Sequence, residues 1–200
     1  MNRAADADRV ERLALFGALL SAFGEIHPAC DQWAQDSTTA WCKRLSGKHL
    51  VYRDGVRVGD ESDDRGGEPT MTADARARRA VAVHVATYTA IQSGAALALT
   101  RAFGYRVPAS ALLAGAAINA VTHAAIDRGP LLLWLADRTR LRGYIEHCQA
   151  VRLDADGEAH AEVNGPGTAW FELDAALHRA VGVTAAAVTT WLATRRTYRR

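Results

Sequence analysis

From Ala80 to Thr100 the chain runs for 21 residues without a formal charge. Such a run has two physical outlets: a helix buried by other helices, or a helix crossing a bilayer, whose hydrocarbon needs about 20 apolar residues. The run reads AVAVHVATYTAIQSGAALALT, mostly Ala, Val and Thr, with His84 and Gln92 inside it. It is only marginally hydrophobic, and an alternating topology gives no usable Lys/Arg bias between the two sides. Soluble bundle and small multi-pass protein both fit. Either way it is a helix, starting near Ala73 and ending near Phe103.

Three further helical segments flank it. The first covers about Asp8 to Cys42, with Pro28 as a kink or break. The third opens at Pro108, a good first-turn residue, and is interrupted at Gly129-Pro130 before LLLWL. The last covers about Trp170 to Thr194. Only a few residues around Gly104-Tyr105-Arg106 join the second segment to the third, so these two are expected to be antiparallel neighbours. Two longer connections carry strand signals. KHLVYRDGVRVGD alternates around Asp54-Gly55, and VRLDADGEAHAEV around Asp156-Gly157, each the pattern of a β-hairpin. With 200 residues the chain suits one domain. The expected fold is mainly α: an up-down four-helix bundle with two short β-hairpins at one end. Residues 44–72 form a polar loop with the first hairpin, 143–169 a loop with the second, and 195–200 a basic tail.

The polar residues inside the oily helices follow a rule. In AGAAINAVTHAAID, Asn119, His123 and Asp127 recur every fourth residue, so they share one helix face about 6 Å apart. The first segment carries His27, Asp31 and Gln35 at the same spacing. The second carries His84, Tyr88 and Gln92, and the last Asp174 and His178. Up-down topology brings the end of the first, the start of the second, the end of the third and the start of the fourth to one end of the bundle. All four sets can then meet in one layer, roofed by the two hairpin connections.

Imidazole and carboxylate are the usual ligands of zinc and other divalent transition metals. The expected metal set is His27, His84, His123, His178, Asp31, Asp127 and Asp174. This exceeds the needs of one ion, so either two ions bind or some Asp residues orient the imidazoles. Any of Asp31, Asp127 and Asp174 left unligated is a candidate general base. A metal-dependent hydrolase follows, with phosphoester substrates favoured, a small-molecule or lipid-like substrate and zinc as the cofactor. The competing reading is a non-enzymatic membrane or phage accessory protein whose His/Asp network ties four helices together. His147 sits in the roof; His49 and His160 are expected on the surface, and the five tryptophans in the core or at interfaces.

Other classes find no support. Formal net charge is +2, and basic residues are not interleaved with aromatics, so no nucleic-acid surface is indicated. Cys30, Cys42 and Cys148 form no CxxC pair, and their odd number fits a reducing compartment. The N-terminal MNRAADADRVERL has acids before any apolar run, unlike a secretory leader. There is no phosphate-binding GxxxxGK[ST], no GxGxxG, no GxSxG and no adjacent His-Asp dyad.

The order HxxxDxxxQ, His, HxxxD and DxxxH resembles an uncharacterised family of small four-helix proteins of bacteria and actinophages, often predicted to lie in membranes. The matching residues are His27, Asp31 and Gln35, then His84, then His123 and Asp127, then Asp174 and His178. The similarity covers Phe16 to Leu192. It implies a polar site between four helices and the cell membrane as location, with the cytoplasm as the alternative, and it implies no reaction. Relative to more typical, Leu-rich members, this chain is richer in Ala and Thr and carries Pro28.

Overall fold

A computed structural model describes residues 3–154 and 156–195 and is mainly helical. Helix α1 spans Arg3–Leu20 and continues through two π-helical segments, Ser21–Glu25 and Ala29–Trp33, on either side of Pro28. Pro28 lacks the amide that would return to a carbonyl five residues earlier, so the expected break is a widened helix rather than a stop. Short α2 (Ser37–Cys42) follows, started by Asp36, whose carboxylate accepts from Thr39 N at 2.7 Å. Helix α3 is Ala73–Ala102, α4 is Ala109–Asp127 and α5 is Pro130–Arg138. Gly129, at φ 90°, makes the α4–α5 corner that other residues resist. Helix α6 (Arg142–His147) occupies what the sequence reads as loop, and α7 is Ala169–Thr194. Thr72 and Thr168 cap α3 and α7 through their hydroxyls.

The four long helices close a ring of contacts: α1 packs on α3 and α7, and α4 packs on the same two. Leu15, Leu19, Ala22 and Phe23 of the first helical stretch meet Ala96, Ala111, Leu112, Ala185, Ala186 and Ala193 in one apolar core. These lie late in α3 and α7 and early in α4. Small residues let the helices approach closely. A Cβ on Gly182 would stand 2.8 Å from the Phe23 carbonyl oxygen, which backbone cannot yield cheaply. Gly182→Val is therefore expected to cost about 1–3 kcal/mol, read as a lower unfolding midpoint, while Val183→Ala on the exposed side changes little.

The second hairpin forms as expected, β3 (Ala150–Leu153) pairing antiparallel with β4 (Ala159–Glu162). The first is a correction. Its turn exists, with Tyr52 N donating to Val56 O and Gly55 at φ 95°, but Val56–Val58 is no strand. Leu50–Val51 (β1) pairs instead with Met71–Thr72 (β2), which lead directly into α3. The rigid start of a long helix fixes β2 in place, whereas Val56 and Val58 gain only an isolated bridge, Val51 to Arg57. Of the two places expected for the tryptophans, the core is not where Trp33, Trp41, Trp134 and Trp191 lie: all four are exposed, and the core is filled by smaller side chains. The tail beyond Arg195 lies outside the described residues.

The outer faces of the long helices mix apolar side chains with charges such as Arg9, Glu11, Arg101, Glu172 and Arg179. Leu13, Val83, Ile91, Leu113, Val121 and Val183 are all exposed. Two helical stretches, Ala5–Trp33 and Ala109–Asp127, are long and apolar enough to cross a membrane, a criterion that the core helix of a soluble protein also meets.

Candidate metal centre

The polar layer lies early in α3 and α7 and late in α4, at the opposite end of those helices from the apolar core. Four ligand atoms face one another there. His84 Nε2 is 2.9 Å from Asp31 Oδ1, 2.9 Å from His123 Nε2 and 3.4 Å from Asp127 Oδ2. His123 Nε2 is 3.3 Å from Asp127 Oδ2 and 3.7 Å from Asp31 Oδ1. A tetrahedral ion with arms of about 2.0–2.1 Å sets its ligand atoms about 3.3 Å apart, in the middle of this range. Hydrogen bonds alone do not account for the cluster. A neutral imidazole has one N–H, and the His84 Nε2 proton cannot serve both Asp31 and His123. A cation at the centre satisfies all four atoms together.

Asp127 also belongs to a second group, with Asp174 and His178. Its Oδ1 is 4.0 Å from His178 Nε2, and the His178 Nδ1–H donates to the Asp174 carbonyl at 2.8 Å. In the neutral ring that bond fixes the tautomer and leaves Nε2 as the lone-pair nitrogen. His178 Nε2 and Asp127 Oδ2 are both buried with no hydrogen-bond partner among the described residues. The Nδ1 atoms of His84 and His123 are buried and unpartnered too, so a backing acceptor exists for His178 and not for them.

His27, expected among the ligands, lies in neither group. Gln92 Nε2 donates to the Tyr88 hydroxyl at 2.7 Å, and that hydroxyl is hydrogen-bonded to His27 Nδ1 at 3.0 Å. The His27 ring stacks on His178, centroids 4.8 Å apart. The same network descends the bundle. Gln92 Nε2 also donates to Phe23 O, the carbonyl that Pro28 cannot serve, and Asn119 Nδ2 donates to Gln92 Oε1. Asn119 thus belongs to a structural tie one layer below the site. His49, His147 and His160 are exposed and apart from it.

Lys43 is the residue that sequence reasoning missed. Its buried ammonium stands 3.2 Å from Asp127 Oδ1 and 3.5 Å from Asp31 Oδ1. Arg128 holds that segment, donating to the carbonyls of Lys43 and Leu45 and pairing with Asp74 at 3.2 Å. Next to it, Arg44 Nη2 reaches Asp174 Oδ1 at 3.5 Å, and its guanidinium lies over the Trp170 ring. The only sequence signal was two adjacent basic residues beside an apolar helix, a common surface pattern. A cavity of about 540 Å³ opens against the layer, with Asp31, Lys43, Arg44, Trp41, Phe171 and Asp174 among its lining residues.

No model of a known protein family matches the chain, and neither does any curated protein or solved structure. The class of the site therefore rests on its own chemistry: a buried His/Asp cluster able to hold a metal ion.

Proposed function

We propose that the protein is a metal-dependent hydrolase of phosphoester-type substrates, built as an up-down four-helix bundle in a membrane. One observation carries the reading: two imidazole nitrogens and two carboxylate oxygens at ligand spacing, beside a cavity that two cations border. Asp31, His84, His123 and Asp127 would hold the ion, zinc by its preference for nitrogen donors, with Asp174 and His178 beside them. Such an ion supplies Lewis acidity and water-activating chemistry.

The chain's own residues supply the rest. With neutral imidazoles, three carboxylates face Lys43 and Arg44, a net charge of −1; a divalent ion makes it +1, which favours an anionic substrate. Lys43 Nζ would stabilise charge developing on phosphoryl oxygens. Arg44 would orient the substrate's anionic group from the cavity wall. Asp174, outside the quartet and lining the cavity, would be the general base. His27, stacked on His178, would position that ring.

The membrane assignment is supported by the uncharged run Ala80 to Thr100, by the exposed Trp33, Trp41, Trp134 and Trp191, and by the resemblance to small four-helix membrane proteins. Metal analysis of the purified chain tests the central claim, together with turnover of bis-p-nitrophenyl phosphate. About one or two ions per chain and metal-dependent turnover are expected. A metal-free protein after gentle purification would favour the non-enzymatic accessory protein, its network structural like the Gln92–Asn119 tie.

A further inference from the structure

A second charged hollow lies apart from the metal centre. The cavity, about 380 Å³, is bordered by Arg53, Arg76 and Arg79, by Asp36, Thr38 and Thr39 of the α2 start, and by Met71, Ala80 and Val83. Three guanidiniums face one carboxylate, and that carboxylate is already engaged by Thr39 N and Thr39 Oγ1 at 2.7 and 2.9 Å. None of the three arginines makes an ion pair among the described residues. Arg76 is the telling one. It is only 8% exposed, its Nε donates to the Arg53 carbonyl at 2.6 Å, and its two Nη nitrogens have no partner among the described residues. Its Nη ends are not sealed from water but open on the hollow, where the three guanidiniums repel one another.

We propose that this hollow binds a phosphate group, free or as the headgroup of an anionic lipid. Guanidinium forks match phosphate oxygens in pairs, and three of them around one hollow supply more donors than a carboxylate would need. The position also suits a headgroup. Arg76 and Arg79 lie in the first two turns of α3, and the 21 uncharged residues begin immediately after them at Ala80. Exposed Val83 stands at the rim, where an acyl chain would leave the hollow. The site shares no lining residue with the cavity beside Lys43 and Arg44, so it is independent of the metal centre.

The test uses the full chain in a nonionic detergent at fixed ionic strength. It is titrated calorimetrically with inorganic phosphate and, separately, with dihexanoyl phosphatidic acid; uncharged dihexanoylglycerol is the control. Saturable binding of either phosphate-bearing probe supports the site. Phosphate alone assigns it to free phosphate; the lipid alone, or much more tightly, assigns it to a headgroup. Because Arg76→Gln can disturb folding, the diagnostic variants are the exposed Arg53→Gln and Arg79→Gln. Each is expected to weaken binding at least about fivefold, and both together about 30-fold, with metal content unchanged. His160→Gln, exposed on β4 and outside both cavities, leaves this binding as it is. The proposal is overturned by no saturable binding up to about 10 mM, by equal binding of dihexanoylglycerol, or by wild-type affinity in the double variant.

Discussion

Asp127→Ala is expected to empty the metal centre and to weaken the fold in the same step. Asp127 is fully buried and is the one carboxylate common to both ligand groups. Its Oδ2 faces His84 and His123, and its Oδ1 faces Lys43 and His178. Losing it removes a direct ligand, so metal affinity should fall about 100-fold or more, beyond the 10–100-fold typical of groups that merely orient ligands. It also leaves Lys43 with Asp31 alone, at 3.5 Å. Breaking a buried pair from one side costs about 3–5 kcal/mol, since the remaining charge stays out of water. Metal per chain by mass spectrometry and the unfolding midpoint read the two effects separately. The exposed His160 on β4 is the control, and His160→Ala should change neither. Full metal occupancy in Asp127→Ala would mean that the quartet is not the site.

Lys43→Met should separate stability from metal binding. The ammonium is the only cation within ion-pair reach of Asp31 and Asp127 other than the imidazoles, among the described residues. Without it the metal-free protein holds two close carboxylates with no fixed counter-charge and should lose about 3–5 kcal/mol. A divalent ion at the quartet neutralises the same carboxylates. Adding zinc should therefore restore the unfolding midpoint of Lys43→Met and raise it more than in the wild type. At a thousandfold excess over Kd the linkage contribution is about 4 kcal/mol, enough to offset the loss. Turnover should stay low in the zinc-loaded variant, because the charge facing the phosphoryl group is gone. If zinc leaves the variant's midpoint where it was, Lys43 and the metal do not share the same carboxylates.

Much of this protein is written in spacing. The 21 uncharged residues, Pro108 and the Gly129-Pro130 corner define α3 and α4 nearly to their observed ends, because helix boundaries are local chemistry; the first segment, expected over Asp8 to Cys42, instead starts at Arg3 and breaks after Trp33. The fourfold repeat of Asn119, His123 and Asp127, and its counterparts on the other helices, foretold one buried polar layer. A helix turn is a fixed length, so residues four apart must share a face.

What spacing could not decide was how those faces divide their work. Asn119 and His123 belong to one stripe, yet one ties helices and the other faces Asp31, because Gln92 and Phe23 O happen to lie at the first level and carboxylates at the second. His27 looks like a ligand in the sequence and is held instead by Tyr88, a partner 61 residues away. Lys43 and the Arg53–Arg76–Arg79 hollow carry no local signature at all. A lysine or arginine in sequence is usually a solvated surface charge. Its partners come from other helices and loops, and only the packed chain sets which charges lose their water together.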